Sequence, residues 1–248
     1  MAGHSHWAGI KHKKALIDSK RGKLWSRLSK AIIIAAQMGG GDISANPRLR
    51  QAITDARAVS MPKDNIERAI KKGTGEIEGG NVEEILYEGY GPFGVAVLCE
   101  VLTDKRTRTG PELTKLFEVH GGKLGKSNSV AYMFERKGIF LIAAEGNDEE
   151  QIMMTAMEAG AEDLQVVGEN FEVSCPPEVY TDVADALAND SIECVSRSLS
   201  RIPTNTVDLQ PEEAEKILKF IDALDDHDDV QNVSANFNIP EETLKALG

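Results

Sequence analysis

The sequence predicts an α+β fold: an N-terminal three-helix domain, then a middle α+β domain interrupted by an inserted ferredoxin-like βαββαβ domain. Three observations lead there. Apolar residues recur at helical spacing up to residue 72, the period falls to two beyond Asn81, and residues 137–200 alternate strand and helix patterns in the order βαββαβ. The division that follows is a basic arm over 1–21, a three-helix domain over 22–78, a discontinuous middle domain over 79–136 and 202–248, and the inserted domain over 137–201.

The first helix runs from Gly22 to Met38, where "MGGGD" stops it with glycines that tolerate left-handed backbone. "NPRLRQAITDARAVS" opens with Asn46 as N-cap and Pro47 at the first helical position, and "PKDNIERAIKK" runs from Pro62 to Gly73. "GTGEIEGGN" reads as a linker. "VEEILYEGY" and "GVAVLCEVL" are strands joined by a Gly-Pro-Phe-Gly turn, "GPELTKLFEVHGG" is a helix with Pro111 near its start, and "VAYMFER" is a third strand. In the inserted domain, "GIFLIAA", "DLQVVG", "FEVSC" and "IECVSRSLS" are strands, and "DEEQIMMTAMEAG" and "EVYTDVADALAND" are helices. "TVDL", "EEAEKILKFIDAL" and "DVQNVSAN" then supply strand, helix and strand to complete the middle domain.

Charge is divided unevenly along the 248 residues. The net charge is -12, yet residues 1–72 hold 15 Lys or Arg against 5 Asp or Glu, which leaves -22 on the remainder. A basic end on an acidic body steers toward phosphates whatever the total charge. No run of eighteen apolar residues occurs, and the N-terminus is charged where a secretion signal needs an apolar core, so a cytoplasmic protein without membrane association is expected. Cys99, Cys175 and Cys194 lie far apart in apolar runs and read as buried, reduced thiols.

The first helix concentrates the chemistry. Lys20, Lys23, Arg27 and Lys30 fall within an arc of roughly 80°, apart from the arc of Leu24, Leu28 and Ile32. Their span of about 15 Å suits two or three successive phosphates, and a solvent-facing stripe is expected. Lys11, His12, Lys13, Lys14 and Arg21 extend the candidate nucleic-acid surface toward the N-terminus, and Arg48 and Arg50 extend it along the second helix. Lys105, Arg106 and Arg108 form a second, separate cationic spot on the middle domain. Of the two tryptophans, Trp25 reads as core and Trp7 as a candidate for stacking on an unpaired base.

Other motifs point elsewhere and fall short. "GKS" at 125–127 resembles the end of a phosphate-binding loop, but His120 stands where that motif needs glycine, and a strand follows where a helix should. His4, His6 and His12 sit in a cationic setting that repels a divalent ion, and the aspartates around His227 read as a solvated acidic turn. No metal, cofactor, catalytic residue or small-molecule substrate is expected, since no Ser-His-Asp or Cys-His order is visible.

"AGHSHWAGIKHKK", "SKRGK", "MGGGD", "ANPRLR", "MPKDNIERAIKKG", "EGYGPFG", "DKRTRT" and "GGKLGKSNSVAYMF" together closely resemble the YebC family, densely from residue 2 to about 140 and by general pattern beyond 150. His6 and Gly9 stand where that family's opening motif has Lys and Asn, and Asn128 replaces a common Gly. The resemblance implies a three-domain α+β protein with a non-enzymatic role, as a DNA-binding transcriptional regulator or a ribosome-associated translation factor. Two separated basic patches on an acidic body fit folded ribosomal RNA better than a linear duplex, so RNA is favoured, with DNA the alternative. Basic ribosomal proteins are then candidate partners for the acidic remainder. An enzyme hidden between domains is the alternative of another class.

Overall fold

The computed structural model describes residues 21–239. Among them are two compact units, one of residues 21–131 with 212–235, the other of 132–211 with 236–239.

The first unit opens with three helices, α1 (Arg21–Gly39), α2 (Pro47–Ala58) and α3 (Lys63–Gly73). The α1–α2 corner depends on Asn46. Its side chain accepts from the Leu49 amide as N-cap and donates back to the Ala35 and Gly40 carbonyls, at 3.0, 2.8 and 2.9 Å. Gly39 must be glycine there, because a Cβ would lie 2.6 Å from the Asn46 amide. Gly73 performs a similar service at the other end of α3, where a Cβ would meet the Ile33 carbonyl oxygen at 2.4 Å. Such close approaches let Ile32, Leu49, Ile53, Ala56 and Ile66 fill one core.

That core continues into a sheet. Val82 and Leu102 belong to the same buried cluster as the helices. Leu102 lies on β2 (Ala96–Thr103), which pairs antiparallel with β1 (Glu83–Tyr90), from Glu83 opposite Thr103 to Tyr90 opposite Ala96. The sheet order is β3-β1-β2-β9, with β3 at Lys123–Leu124 and β9 at Val230–Ala235. Helices α4 (Arg106–Val119) and α7 (Pro211–Asp225; α5 and α6 lie in the other unit) meet through Phe117 and Phe220, edge to face at 4.9 Å.

Two expectations change here. The helix α4 begins at Arg106 rather than near Pro111, which the second turn accommodates, so "DKRTRT" is largely helical. "VAYMFER" is not a strand of this sheet: residues 131–133 form a short 3-10 turn, and Phe134 opens β4 (Phe134–Ala143), continuous with "GIFLIAA". The edge position goes instead to the two residues of β3. A period-two pattern cannot mark where one strand ends if the next continues it in phase.

The second unit runs β4, α5 (Glu149–Glu158), β5 (Asp163–Val167), β6 (Asn170–Cys175), α6 (Tyr180–Asn189) and β7 (Cys194–Pro203). Its sheet order β5-β6-β4-β7, antiparallel throughout, is the ferredoxin-like arrangement. Phe140, Ile142, Ile152, Val173, Val183 and Leu187 form its core, and Phe140 stacks on Tyr180 at 5.0 Å. β8 (Val207–Asp208) pairs in parallel with β10 (Phe237–Asn238) and not with the middle sheet. Of the three C-terminal segments expected to complete the middle domain, only α7 and β9 fall in the first unit, β9 as the edge strand beside β2.

Candidate nucleic-acid interface

Of the α1 stripe, Lys20 lies outside the described residues, Lys23 is exposed as expected, and Arg27 and Lys30 are largely covered rather than solvent-facing, which corrects the sequence expectation for those two. Lys23 lies 3.8 Å from the Asp228 carboxylate and donates to the Asp226 carbonyl at 3.1 Å. Arg27 faces Asp225 at 3.9 Å. Lys30 donates to Asp229 at 2.5 Å and to the Asp228 carbonyl at 3.0 Å. The helix carries no acid of its own beside these cations; the acids come from the last residue of α7 and the turn after it, which the sequence presented as solvated.

Asp229 is the centre of that turn, with its side chain 1% exposed. One oxygen takes Lys30; the other accepts from Thr109 at 2.5 Å, Arg108 at 2.8 Å and Thr103 at 3.1 Å. Burial raises the pKa of a carboxylic acid, but the hydrogen bonds from Lys30, Thr109 and Arg108 outweigh it and hold Asp229 far below the usual carboxylate range. The same contact raises the Arg108 pKa, chiefly through its hydrogen bond to Asp229. The Asp229 amide donates to His227 Nδ1 at 3.1 Å, so the ring proton sits on Nε2, 3.0 Å from Glu112.

Lys30 and Arg108 therefore share one carboxylate, and the two cationic spots expected to be separate are adjacent. They line a cleft of about 670 Å³ between α1, α4 and the turn, with Lys23, Asp104, Glu112 and His227 on its walls. Glu112, His227 and Asp229 place three possible metal-ligand atoms within 4.8 Å of one another. Lys30 and Arg108 already supply the positive charge there, so the arrangement is an ion-pair hub joining α1, α4 and β9 rather than a cation cage.

The remaining predicted residues divide. Trp7, Lys11, His12, Lys13, Lys14 and Lys20 lie outside the described residues, as does the side chain of Arg21. Arg48 donates from Nη2 to both carboxylate oxygens of Glu84, each at 3.0 Å, and Arg50 is exposed. Lys105 is exposed ahead of α4, while Arg106 hydrogen-bonds Tyr87, whose hydroxyl is nevertheless pushed up by burial. Trp25 packs against the helical core, with its indole 3.4 Å from the Val59 carbonyl.

Sequence reasoning missed four cations. Arg68, Lys71 and Lys72 occupy an arc of about 100° on α3, opposite buried Ile66 and Ala69, and Arg57 is exposed on α2. The same helical count applied to α1 would have found them.

The loop containing "GKSNS" closes around a carboxylate of this chain. Buried Glu88 accepts from the amides of Asn128, Val130 and Ala131 at 2.7, 3.0 and 2.9 Å. Burial raises its pKa, yet those amides together hold it below the ordinary value. Asn128 adopts a φ of 65°, which asparagine tolerates better than most residues. Cys99, Cys175 and Cys194 form no disulfide, the first two are buried, and burial pushes the pKa of Cys175 and Cys194 up.

A helical end sharing its core with a sheet that the chain leaves and re-enters, with a ferredoxin-like unit in the gap, defines a class of discontinuous α+β protein. Residues 5–76 match the TACO1/YebC protein N-terminal domain, and residues 82–237 match the TACO1/YebC second and third domain. The chain belongs to the TACO1/YebC family. It is similar to a probable transcriptional regulatory protein of Rhodopirellula baltica, 54% identical over 98% of this chain and 99% of that one. A protein with the same description from Dictyoglomus turgidum is 50% identical over 100% of both chains. The crystal structure of a conserved hypothetical protein from Aquifex aeolicus superposes with a TM-score of 0.86 at 46% identity, covering 95% of this chain and 98% of that one. Among the described residues, no helix is long and apolar enough to cross a membrane.

Proposed function

We propose that this protein is a non-enzymatic, nucleic-acid-binding regulator of gene expression that acts in translation, binding RNA through its basic N-terminal end. The observation that carries the reading is the charge division, 15 cations against 5 acids before residue 73 and -22 beyond it. Where the α1 stripe is engaged by the Asp225–Asp229 turn, the exposed cations of α2 and α3 take its place. Arg50, Arg57, Arg68 and Lys71, together with Lys11, Lys13, Lys14 and Lys20 of the N-terminal segment, form the phosphate-binding set. The strongly acidic remainder repels a long duplex laid across the molecule. A folded RNA surface interspersed with basic protein suits both halves. Lys30 and Arg108 meet at Asp229, so their charge is one patch rather than two and does not weigh toward RNA.

One observation favours DNA. α2 and α3 are joined by only residues 59–62, a connection as short as that of a helix-turn-helix, and the exposed cations of α3 would then face a groove. The relatives' description as probable transcriptional regulatory proteins agrees with it. Gradient sedimentation of cell lysate separates the two readings. Co-migration with ribosomes at low salt that survives DNase and is lost at high salt is the expected result. Protection of a defined promoter with no ribosome association would make the protein a transcriptional regulator.

A further inference from the structure

The ferredoxin-like unit has a surface that no nucleic acid would choose. Between residues 138 and 196 there are 14 Asp or Glu and no Lys, Arg or His. Within that stretch α5 turns Ile152 and Ala156 into the core and leaves Met153, Met154 and Met157 exposed by 43, 67 and 46%. At about 100° per residue the three methionines span an arc of about 100° on the outer side, with Glu150 inside it and Glu149 and Glu158 at its two edges. Asp190, at the end of α6, is tied alongside through Thr155.

Three large apolar side chains on one short helix exceed the scattered exposure normal for a surface. Methionine is flexible and polarizable, so it moulds to irregular apolar partners. The carboxylates around it select the partner's charge, attracting cations and repelling phosphates.

We propose that the outer face of α5 docks a lysine- or arginine-rich amphipathic segment of a partner protein, its apolar side chains on Met153, Met154 and Met157 and its cations on Glu149, Glu150 and Glu158. This goes beyond the nucleic-acid reading and does not depend on it, because the two surfaces have opposite charge.

Fluorescence anisotropy with a labelled 18-residue leucine/lysine amphipathic peptide, in about 150 mM salt, tests the docking. The triple variant Met153→Gln/Met154→Gln/Met157→Gln and the triple variant Glu149→Gln/Glu150→Gln/Glu158→Gln should each weaken binding about tenfold or more, since a core of apolar contacts and its charged rim both contribute. Both should keep the wild-type melting temperature and nucleic-acid affinity. The single variant Met154→Gln, at the most exposed position, gives a smaller loss in the same direction if the triple variant is unstable. A peptide with the same lysines but serine in place of leucine should bind no better to wild type than to the methionine variant. Absence of peptide binding, or equal affinity for wild type and methionine variants, overturns the proposal. So does a wild-type self-association in sedimentation that the methionine variant loses, which would make a second copy the occupant. Weakened RNA binding in the methionine variant would also overturn it, by assigning the face to nucleic acid.

Discussion

Lys30 of α1 and Arg108 of α4 donate to opposite oxygens of one buried carboxylate, that of Asp229. Each comes from a stretch whose charge suggested a phosphate contact, and each anchors a helix to the same turn. A phosphate and a carboxylate ask for the same cationic geometry. Charge patterning alone cannot tell an external anion from one supplied by the chain.

Breaking this hub should destabilise the first unit strongly. Asp229→Asn leaves Lys30, whose side chain is 15% exposed, without its counter-charge, while Arg108, 42% exposed, keeps Asp104 and Glu112. Removing one partner of a buried pair costs about 3–5 kcal/mol, so the melting temperature should fall by several degrees. Lys219→Gln, which breaks only an exposed pair on α7, should change it little.

The hub also sets an acid limit. Asp229 has a folded pKa below its unfolded one, so its contribution is fully present above about pH 5 and is lost as pH falls below the unfolded value of about 3.9. Urea unfolding of wild type between pH 7 and 3 should show that loss. Asp229→Asn should show a flatter profile below pH 5, and parallel profiles would remove the carboxylate from the account.

Glu172 gives the opposite sign. Burial, and then the nearby Asp163 charge, push its pKa up to about 7. A carboxyl with a raised folded pKa favours the folded state when protonated, so stability should decline as pH rises from about 4.5 through 7. Glu172→Gln should therefore raise the melting temperature at pH 8 and leave it nearly unchanged at pH 4.5. Equal shifts at both pH values would mean that the carboxyl is not desolvated.

The acidic turn should compete with nucleic acid for α1. Asp228 and its partner Lys23 are both substantially exposed, and Arg27 pairs with Asp225 at long range. Asp225→Asn/Asp228→Asn frees these cations, at little cost for the exposed Lys23–Asp228 pair and at a larger one for Arg27–Asp225, whose side chains are 20 and 29% exposed. Affinity for RNA at low salt should rise about two- to fivefold, as one or two further phosphate contacts become available. Unchanged affinity would confine α1 to a structural role.

Much of the fold was legible because local signals agreed with it. Asn46 and Pro47 marked the start of α2, the glycines after Met38 marked the end of α1, and the alternation beyond residue 137 gave the ferredoxin-like order. The misplaced strand at 131–133 and the late start of α4 arose where a pattern runs on in phase or a proline is tolerated inside a helix. The site was less legible. The cations were visible, but their partners were not, because Asp225, Asp228 and Asp229 lie some 200 residues away from the α1 stripe. Arg57, Arg68 and Lys71 stand out less because their helices also carry Asp55, Asp64 and Glu67, whereas α1 carries no acid.

The most direct test of the central claim is the affinity for RNA as a function of salt, measured on wild type and on Arg50→Gln/Arg57→Gln/Arg68→Gln/Lys71→Gln, all exposed positions. The account predicts that log affinity falls with log salt at a slope of roughly -5 to -6, that the variant's slope is shallower by about 3, and that its melting temperature is unchanged. A flat salt response, or a slope that the four substitutions leave untouched, would contradict it.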